Sequence, residues 1–448
     1  LDISALLPQF GSFIGVIAAF VIALSVIVAI HEYGHYIVGR WSGIKAEVFS
    51  LGFGPVLFSR VDKHGTRWQL AALPFGGYVK FLGDADAASG KDAEAMSATP
   101  PERLRQTMHG APLWARTATV AAGPIFNFVL SILIFAGVMM FQGKMAEPLQ
   151  IGALKPLPAQ GIELQPGDTI LDVAGADVPG YDDRSAFDAF SEGLPDRRVM
   201  EYRVTRDGVE TSALGPHPLP PIVTQLAPQS AAYRAGMKAG DVITAVNGDA
   251  ISSFTQLKNI VEASNGAPLA LDVWRAGETL QLELTPRRTD EPQADGGFAT
   301  VWRIGIAGGW SFEPGTETMG PIDATLAGVQ QTYAVAANSL SGLYHMVTGA
   351  ISSCNMSGPI GIAQASGAMA SQGAENFIWF IAVLSTAVGL LNLFPVPVLD
   401  GGHLLFYAYE AVVGKPPSDG ALRVMMTVGL TLILGLMMFA LFNDIWCP

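Results

Sequence analysis

Four stretches of the chain are almost continuously apolar over about the twenty residues a helix needs to cross ~30 Å of hydrocarbon. They run from about Phe13 to Tyr36, Ala118 to Phe141, Asn376 to Leu399 and Met425 to Phe442. The first is too long for a signal peptide and lacks its small-residue cleavage site, so it is expected to be retained. Elsewhere the pattern changes. Phe49 to Phe58 and Trp68 to Phe81 are aromatic-rich, strand-prone and broken by glycines, which predicts a short sheet against the membrane surface. Ile322, Leu326, Val329, Tyr333, Leu340 and Leu343 recur at near-helical intervals with few charges, the pattern of an interfacial helix. The long segment between the second span and that helix contains a repeat. LQPGDTILDVAGADV (Leu164 to Val178) aligns without gaps with MKAGDVITAVNGDAI (Met237 to Ile251), each copy reading as a Gly-Asp turn, an alternating strand and a second glycine turn.

Composition agrees with a membrane protein: half of the 448 residues are hydrophobic and only 15% charged, outside the usual range of soluble enzymes. The net charge of −13 and the lack of any Lys/Arg run exclude nucleic acid as a partner. Positive charge is concentrated between the first two spans, at Arg40, Lys45, Arg60, Lys63, Arg67, Lys80, Arg103 and Arg105. Positive-inside bias makes that segment cytoplasmic and the repeat-bearing segment extracytoplasmic. The expected organisation is a first span at 8–38, a cytoplasmic loop with the sheet at 39–115 and a second span at 116–142. Repeated modules follow at 143–219 and 220–290, an interfacial helical region at 291–372, and spans at 373–412 and 422–444. Cys354 and Cys447 supply neither a disulfide framework nor a CxxC metal site, so any metal must be held by His and carboxylate.

The candidate chemistry is at the end of the first span. His31-Glu32-Tyr33-Gly34-His35 puts two histidines on one helix face, able to ligate one metal ion, with Glu32 within reach of a water there. Ionisable groups at the end of an apolar run each cost a few kcal/mol at membrane depth, so they need partners or a polar cavity. Neutral imidazoles suit zinc, and zinc hydrolases use three protein ligands plus an open position. Trp41 stands where a further histidine would be needed for the extended soluble motif. Asp400 ends the third apolar run in NLFPVPVLDGGH, where Pro395 and Pro397 break regular helix and Gly401 and Gly402 permit close backbone approach. Zn²⁺ with Asp400, Glu32 and two neutral imidazoles sums to zero charge, which favours Asp400 as third ligand; His403 is the rival. An edge of the sheet, with Phe75, Gly76, Gly77 and Tyr78, could pair with an unwound peptide. For the repeated modules, a spacer or steric gate is set against peptide binding by strand addition. A lipid or isoprenoid-linked substrate, or a scaffold with structural metal, are the competing functions.

HEYGH, NLFPVPVLDGG, GFGP with PFGGYVKF, and SGPIGIA (Ser357 to Ala363) together resemble the site-2 protease family of intramembrane zinc metalloproteases, and the paired modules resemble PDZ domains. The resemblance covers nearly the whole chain. It implies a polytopic α-helical membrane protein of about four transmembrane helices with a membrane-associated β-sheet and two extracytoplasmic PDZ-like α+β domains, set in a bacterial inner membrane. It implies zinc held by His31, His35 and Asp400, Glu32 as catalytic base, and Asn392 and Pro397 in a substrate-binding segment. The expected partners are the lipid bilayer and a single-span anti-sigma factor already trimmed outside the membrane, cut in regulated intramembrane proteolysis toward the cytoplasmic side.

Overall fold

Helix α1 (Phe13–Trp41) is apolar around its whole circumference, and the side chains it buries are mostly small: Gly15, Ala19 and Ala23, then Ile27 and Gly34. That four-residue spacing of small residues lets neighbouring helices approach closely, as helices do where surrounding lipid supplies no hydrophobic drive to associate. The computed structural model describes residues 13–85, 96–97, 99–180, 184–292 and 298–446. Among these, four helices are long and apolar enough to cross a membrane: α1, α2 (Leu113–Gln142), α7 (Ala374–Asn392) and α9 (Asp419–Trp446).

After α1 the chain forms β1 (Ala46–Val61) and β2 (Arg67–Phe81). Their pairing is irregular. Residues 56–61 pair with 67–71 across the turn, while 46–51 pair with 77–81 and also run beside 67–70. Among the described residues, 77–81 therefore pair on one side only. Phe53, Val56, Leu57, Phe58, Leu70 and Leu73 are exposed on this hairpin, an apolar patch that a water-facing sheet would not carry.

A β-rich unit covers Met139–Pro321 with Thr348–Ser352. Its two repeats fold alike. The first has β5 (Thr169–Val173), β6 (Ala176–Asp177), α3 (Arg184–Gly193), β7 (Val199–Arg206) and β8 (Val209–Pro216), in the order β6-β5-β7-β8. The second has β10 (Val242–Val246), β11 (Asp249–Ala250), α4 (Phe254–Ala263), β12 (Leu269–Arg275) and β13 (Glu278–Leu284), in the order β11-β10-β12-β13. The aspartate of each Gly-Asp turn does the same work twice. Asp168 accepts from the Gln165 N–H at 2.8 Å and pairs with Arg206; Asp241 accepts from Lys238 N–H at 2.8 Å and pairs with Arg275. The repeat thus encodes a turn and a strand-end ion pair together.

The region expected to be an interfacial helical segment at 291–372 differs in its first part. β14 (Arg287–Pro292) pairs with β15 (Phe298–Arg303), and β16 (Ile306–Ala307), β17 (Phe312–Pro314) and β18 (Thr316–Glu317) return through the unit. They pair with β9 (Gln225–Leu226), β4 (Ile151–Leu154) and β3 (Lys144–Met145) respectively. Ile304 enters the second module's core and fully buried Phe312 the first's, against Ile151 and Tyr202. Truncating a buried phenylalanine costs ~3–5 kcal/mol through lost transfer energy and the cavity left behind. Phe312→Ala should therefore unfold the first module selectively, seen as loss of hydrogen-exchange protection in 199–216 with 242–246 still protected; unchanged protection in both would refute Phe312 as a core residue.

α5 (Pro321–Val347) follows, with Gly328 against the Ile132 carbonyl of α2. Then α6 (Pro359–Ser371) begins within SGPIGIA, and Asp444 of α9 accepts from Gly358, Ile360 and Gly361 N–H at 2.8, 3.0 and 3.1 Å. A carboxylate on a helix N-terminus satisfies donors that have no partner within the helix. Cys354, just before it, is disulfide-bonded; Cys447 lies outside the described residues.

Candidate active site

The third apolar run ends earlier than expected. α7 stops at Asn392, the chain turns irregularly through 393–399, and Asp400 opens α8 (Asp400–Val413). Asp400 is thus the first residue of a helix after a break, not the last of a span. The prolines account for the break, and Gly401 for its tightness, since any side chain there would collide with the Leu393 and Phe394 carbonyls.

Three potential ligand atoms converge. His31 Nε2 lies 3.2 Å from Asp400 Oδ2 and His35 Nε2 3.6 Å from the same oxygen, while the two Nε2 atoms are 3.2 Å apart. Asp400 Oδ2 is buried, with the two imidazole nitrogens facing it. His35 Nδ1 meets the Thr119 carbonyl at 2.9 Å. A carbonyl only accepts, so the ring proton is on Nδ1 and the Nε2 lone pair points inward. Zinc bonds of about 2.0–2.1 Å at tetrahedral angles put ligand atoms about 3.3 Å apart, so the donor set and its spacing fit zinc. Gly123 of α2 makes room: a Cβ there would strike His35 Nε2.

A cavity of about 660 Å³ opens on this cluster, and Glu32, Gly77, Tyr78, Val79, Asn392 and His403 are among its lining residues. Strand 77–81 is therefore beside the expected base, with Gly77 packed so closely on α1 that its Cβ would stand 3.1 Å from Glu32 Cγ. Not every expected site residue is here. Gly76 lies against Phe53, Pro397 packs on Gly429 of α9, and neither lines the cavity. The Phe75 side chain lies outside the described residues. Asn392 Nδ2 donates to the Val388 carbonyl at 3.1 Å. His403 is excluded from the ligand cluster, its Nδ1 3.3 Å from the Leu399 carbonyl.

The sequence reading missed several residues of this cavity. Arg116 at the start of α2 donates to Glu410 of α8 through both terminal nitrogens, at 2.9 and 2.6 Å, and lies over the Tyr407 ring at 5.2 Å. This two-point pairing carries geometric specificity that a lone ammonium would lack. His109 also lines the cavity, 3.3 Å from buried Asp84. Burial pushes the Asp84 carboxyl up, while His109 and the Phe81 N–H draw it back. Arg116 stands just ahead of the second apolar run and Glu410 interrupts the apolar stretch from Leu404 to Val413, the sequence signals that could have flagged them.

The sequence profile of Peptidase family M50 matches residues 19–436. The chain belongs to Peptidase family M50. This is the site-2 protease family of zinc metalloproteases expected from the motifs, and the chain is a membrane protein and a zinc-dependent protease of that family. A protein of Agrobacterium fabrum provisionally named a zinc metalloprotease is 38% identical over 97% of both chains, and one of Rhizobium meliloti, similarly named, is 37% identical over 96% of both. The Regulator of sigma-E protease RseP of Salmonella typhimurium is 33% identical over 96% of this chain and 98% of its own.

Proposed function

We propose that this protease cuts a peptide bond within the transmembrane segment of a single-span membrane protein, with zinc held by His31, His35 and Asp400. The observation carrying the reading is the convergence of three ligand atoms within 4.8 Å, in a cavity shared by a carboxylate and a one-sided β-strand. Zinc supplies a Lewis acid that polarises the scissile carbonyl and lowers the pKa of a water. Glu32 takes a proton from the attacking water and delivers it to the leaving amine. A substrate helix hides its carbonyls in i to i−4 hydrogen bonds, so it must unwind before the bond can be reached. The backbone of 77–80 offers replacement hydrogen bonds by strand addition, and Asn392, whose amide oxygen can still accept, holds the same extended segment. The exposed apolar hairpin suits a sheet dipping into lipid rather than lying in water.

The chain sits in a bacterial inner membrane with the site toward the cytoplasm, an orientation that the basic residues between α1 and α2 favour. The repeated modules are PDZ-like, extracytoplasmic, and act as a size filter. The relatives named for sigma-E regulation favour a trimmed anti-sigma factor as substrate, within envelope stress signalling. In proteoliposomes with a tagged single-span substrate, the expected result is a cut inside the transmembrane segment, stopped by a chelator and restored by zinc. Cutting that ignores the chelator, or falls only outside the bilayer, would sink the reading. Because Met145 pairs with Thr316, Ala146 to Gly315 can be replaced by a two-residue turn. That variant should also cut substrates with an intact bulky outer domain; unchanged selectivity would leave the modules no filtering role.

A further inference from the structure

His31 and His35 are fixed differently. His35 Nδ1 is held by a backbone carbonyl, whereas His31 Nδ1 meets the side-chain amide nitrogen of Asn127 in α2, at 3.2 Å. Asn127 is fully buried, and its Oδ1 has no hydrogen-bond partner. An amide carries a donor at one end and an acceptor at the other, and its two orientations fill the same space. With Nδ2 toward His31, the ring must accept at Nδ1 and carry its proton on Nε2, aimed at Asp400 and His35. That tautomer cannot ligate. With Oδ1 toward His31, the ring donates from Nδ1, the amide's acceptor finds a donor, and the Nε2 lone pair faces the other two ligand atoms.

We infer that Asn127 is a positioning residue, whose side-chain oxygen accepts from His31 Nδ1 and so sets the tautomer and ring orientation that let His31 ligate zinc. The inference rests on the metal site proposed above. Its backbone is well anchored for the task. The Asn127 carbonyl accepts from Ser131 Oγ at 3.0 Å and from Ser385 Oγ at 2.9 Å, which ties α2 to α7. Ser131 Oγ also reaches the Ala382 carbonyl at 2.8 Å, and a Cβ at Gly389 of α7 would stand 3.1 Å from Asn127 Cβ. The amide can therefore turn about its own axis but cannot withdraw. Such outer partners of a ligating histidine typically tune metal affinity by ~10–100-fold.

The acceptor role separates two near-isosteric substitutions. Asn127→Asp keeps an acceptor and loses the donor; Asn127→Leu keeps the bulk and loses both. Zinc dissociation constants of the full chain in detergent, measured by competition with a chromogenic chelator, should rise ~10–100-fold for Asn127→Leu and stay within a few-fold of wild type for Asn127→Asp. The cobalt-loaded Asn127→Asp protein should keep the wild-type visible spectrum. Asn127→Ala, which introduces no clash, carries the same expectation as Asn127→Leu if the latter does not fold. Wild-type affinity in Asn127→Leu or Asn127→Ala would overturn the inference. Equal weakening in Asn127→Asp and Asn127→Leu would also overturn it, since the donor would then be the working group. His31→Ala is the companion control: if wild type binds no zinc, or His31→Ala binds it as tightly, the metal site itself is wrong.

Discussion

Glu32→Gln should reduce cleavage by ~10²–10⁴-fold while leaving zinc content at the wild-type level, the range a positioned general base contributes. The two halves of the expectation come from different observations. Glu32 lines the cavity beside His31 and His35, yet among the described residues the atoms that cluster closely enough to hold a metal belong to His31, His35 and Asp400. Gln preserves the shape and the ability to hydrogen-bond but cannot take up a proton. It should therefore stop proton transfer without disturbing the ligand set or the close packing of Gly77 on the Glu32 side chain. First-order cleavage of a single-span substrate in proteoliposomes, with zinc per chain by atomic absorption, reads both quantities. A variant retaining a tenth of the wild-type rate would remove Glu32 from the mechanism. One that lost its zinc would make it a ligand.

How much of this site was legible beforehand follows from the range of the interactions. HEYGH lies within one helical turn, so the shared face of His31 and His35 follows from helical geometry alone. Asp400 stood out because a carboxylate beside two prolines and two glycines at the end of an apolar run has no bland explanation. The break that positions it was legible only in part. Hydropathy runs on through Leu393, Phe394, Val396, Val398 and Leu399, so the run looks like one long span, although α7 ends at Asn392. The partners of Arg116 and His31 were not legible at all: Glu410 lies 294 residues from Arg116, and Asn127 lies 96 from His31. No periodicity connects positions so far apart.

The β-rich unit divides in the same way. The Gly-Asp turns repeat because each one is a local device, with Asp168 and Asp241 each capping its own turn. The strands that close the unit are only two or three residues long, too short for an alternating pattern. Phe312, which completes the first module's core, is far from that module in sequence. Sheet edges built from distant returns are set by which surfaces remain uncovered, and that is a property of the folded chain. Strand 77–81 is intermediate: a sheet edge was expected there, but the packing of Gly77 against Glu32 is a property of the folded chain.

Asp400→Ala should abolish stoichiometric zinc binding, and with it cleavage. Without its only carboxylate, the ligand set keeps two imidazoles from a single helix turn, short of the three protein ligands usual for catalytic zinc. The effect should exceed the ~10–100-fold cost of losing an outer partner. His403→Ala should keep zinc, because His403 lies outside the ligand cluster. Comparing each protein with and without zinc separates ligation from the carboxylate's other contacts, its place at the start of α8 and its 3.2 and 3.6 Å approaches to His31 and His35. Zinc at ~100 times its Kd should stabilise wild type by ~2.7 kcal/mol through mass action and leave the variant unmoved. Thermal denaturation in detergent, with chelator and with zinc, gives all four values. A zinc-dependent rise in the Asp400→Ala melting temperature equal to that of wild type would rule Asp400 out as a ligand.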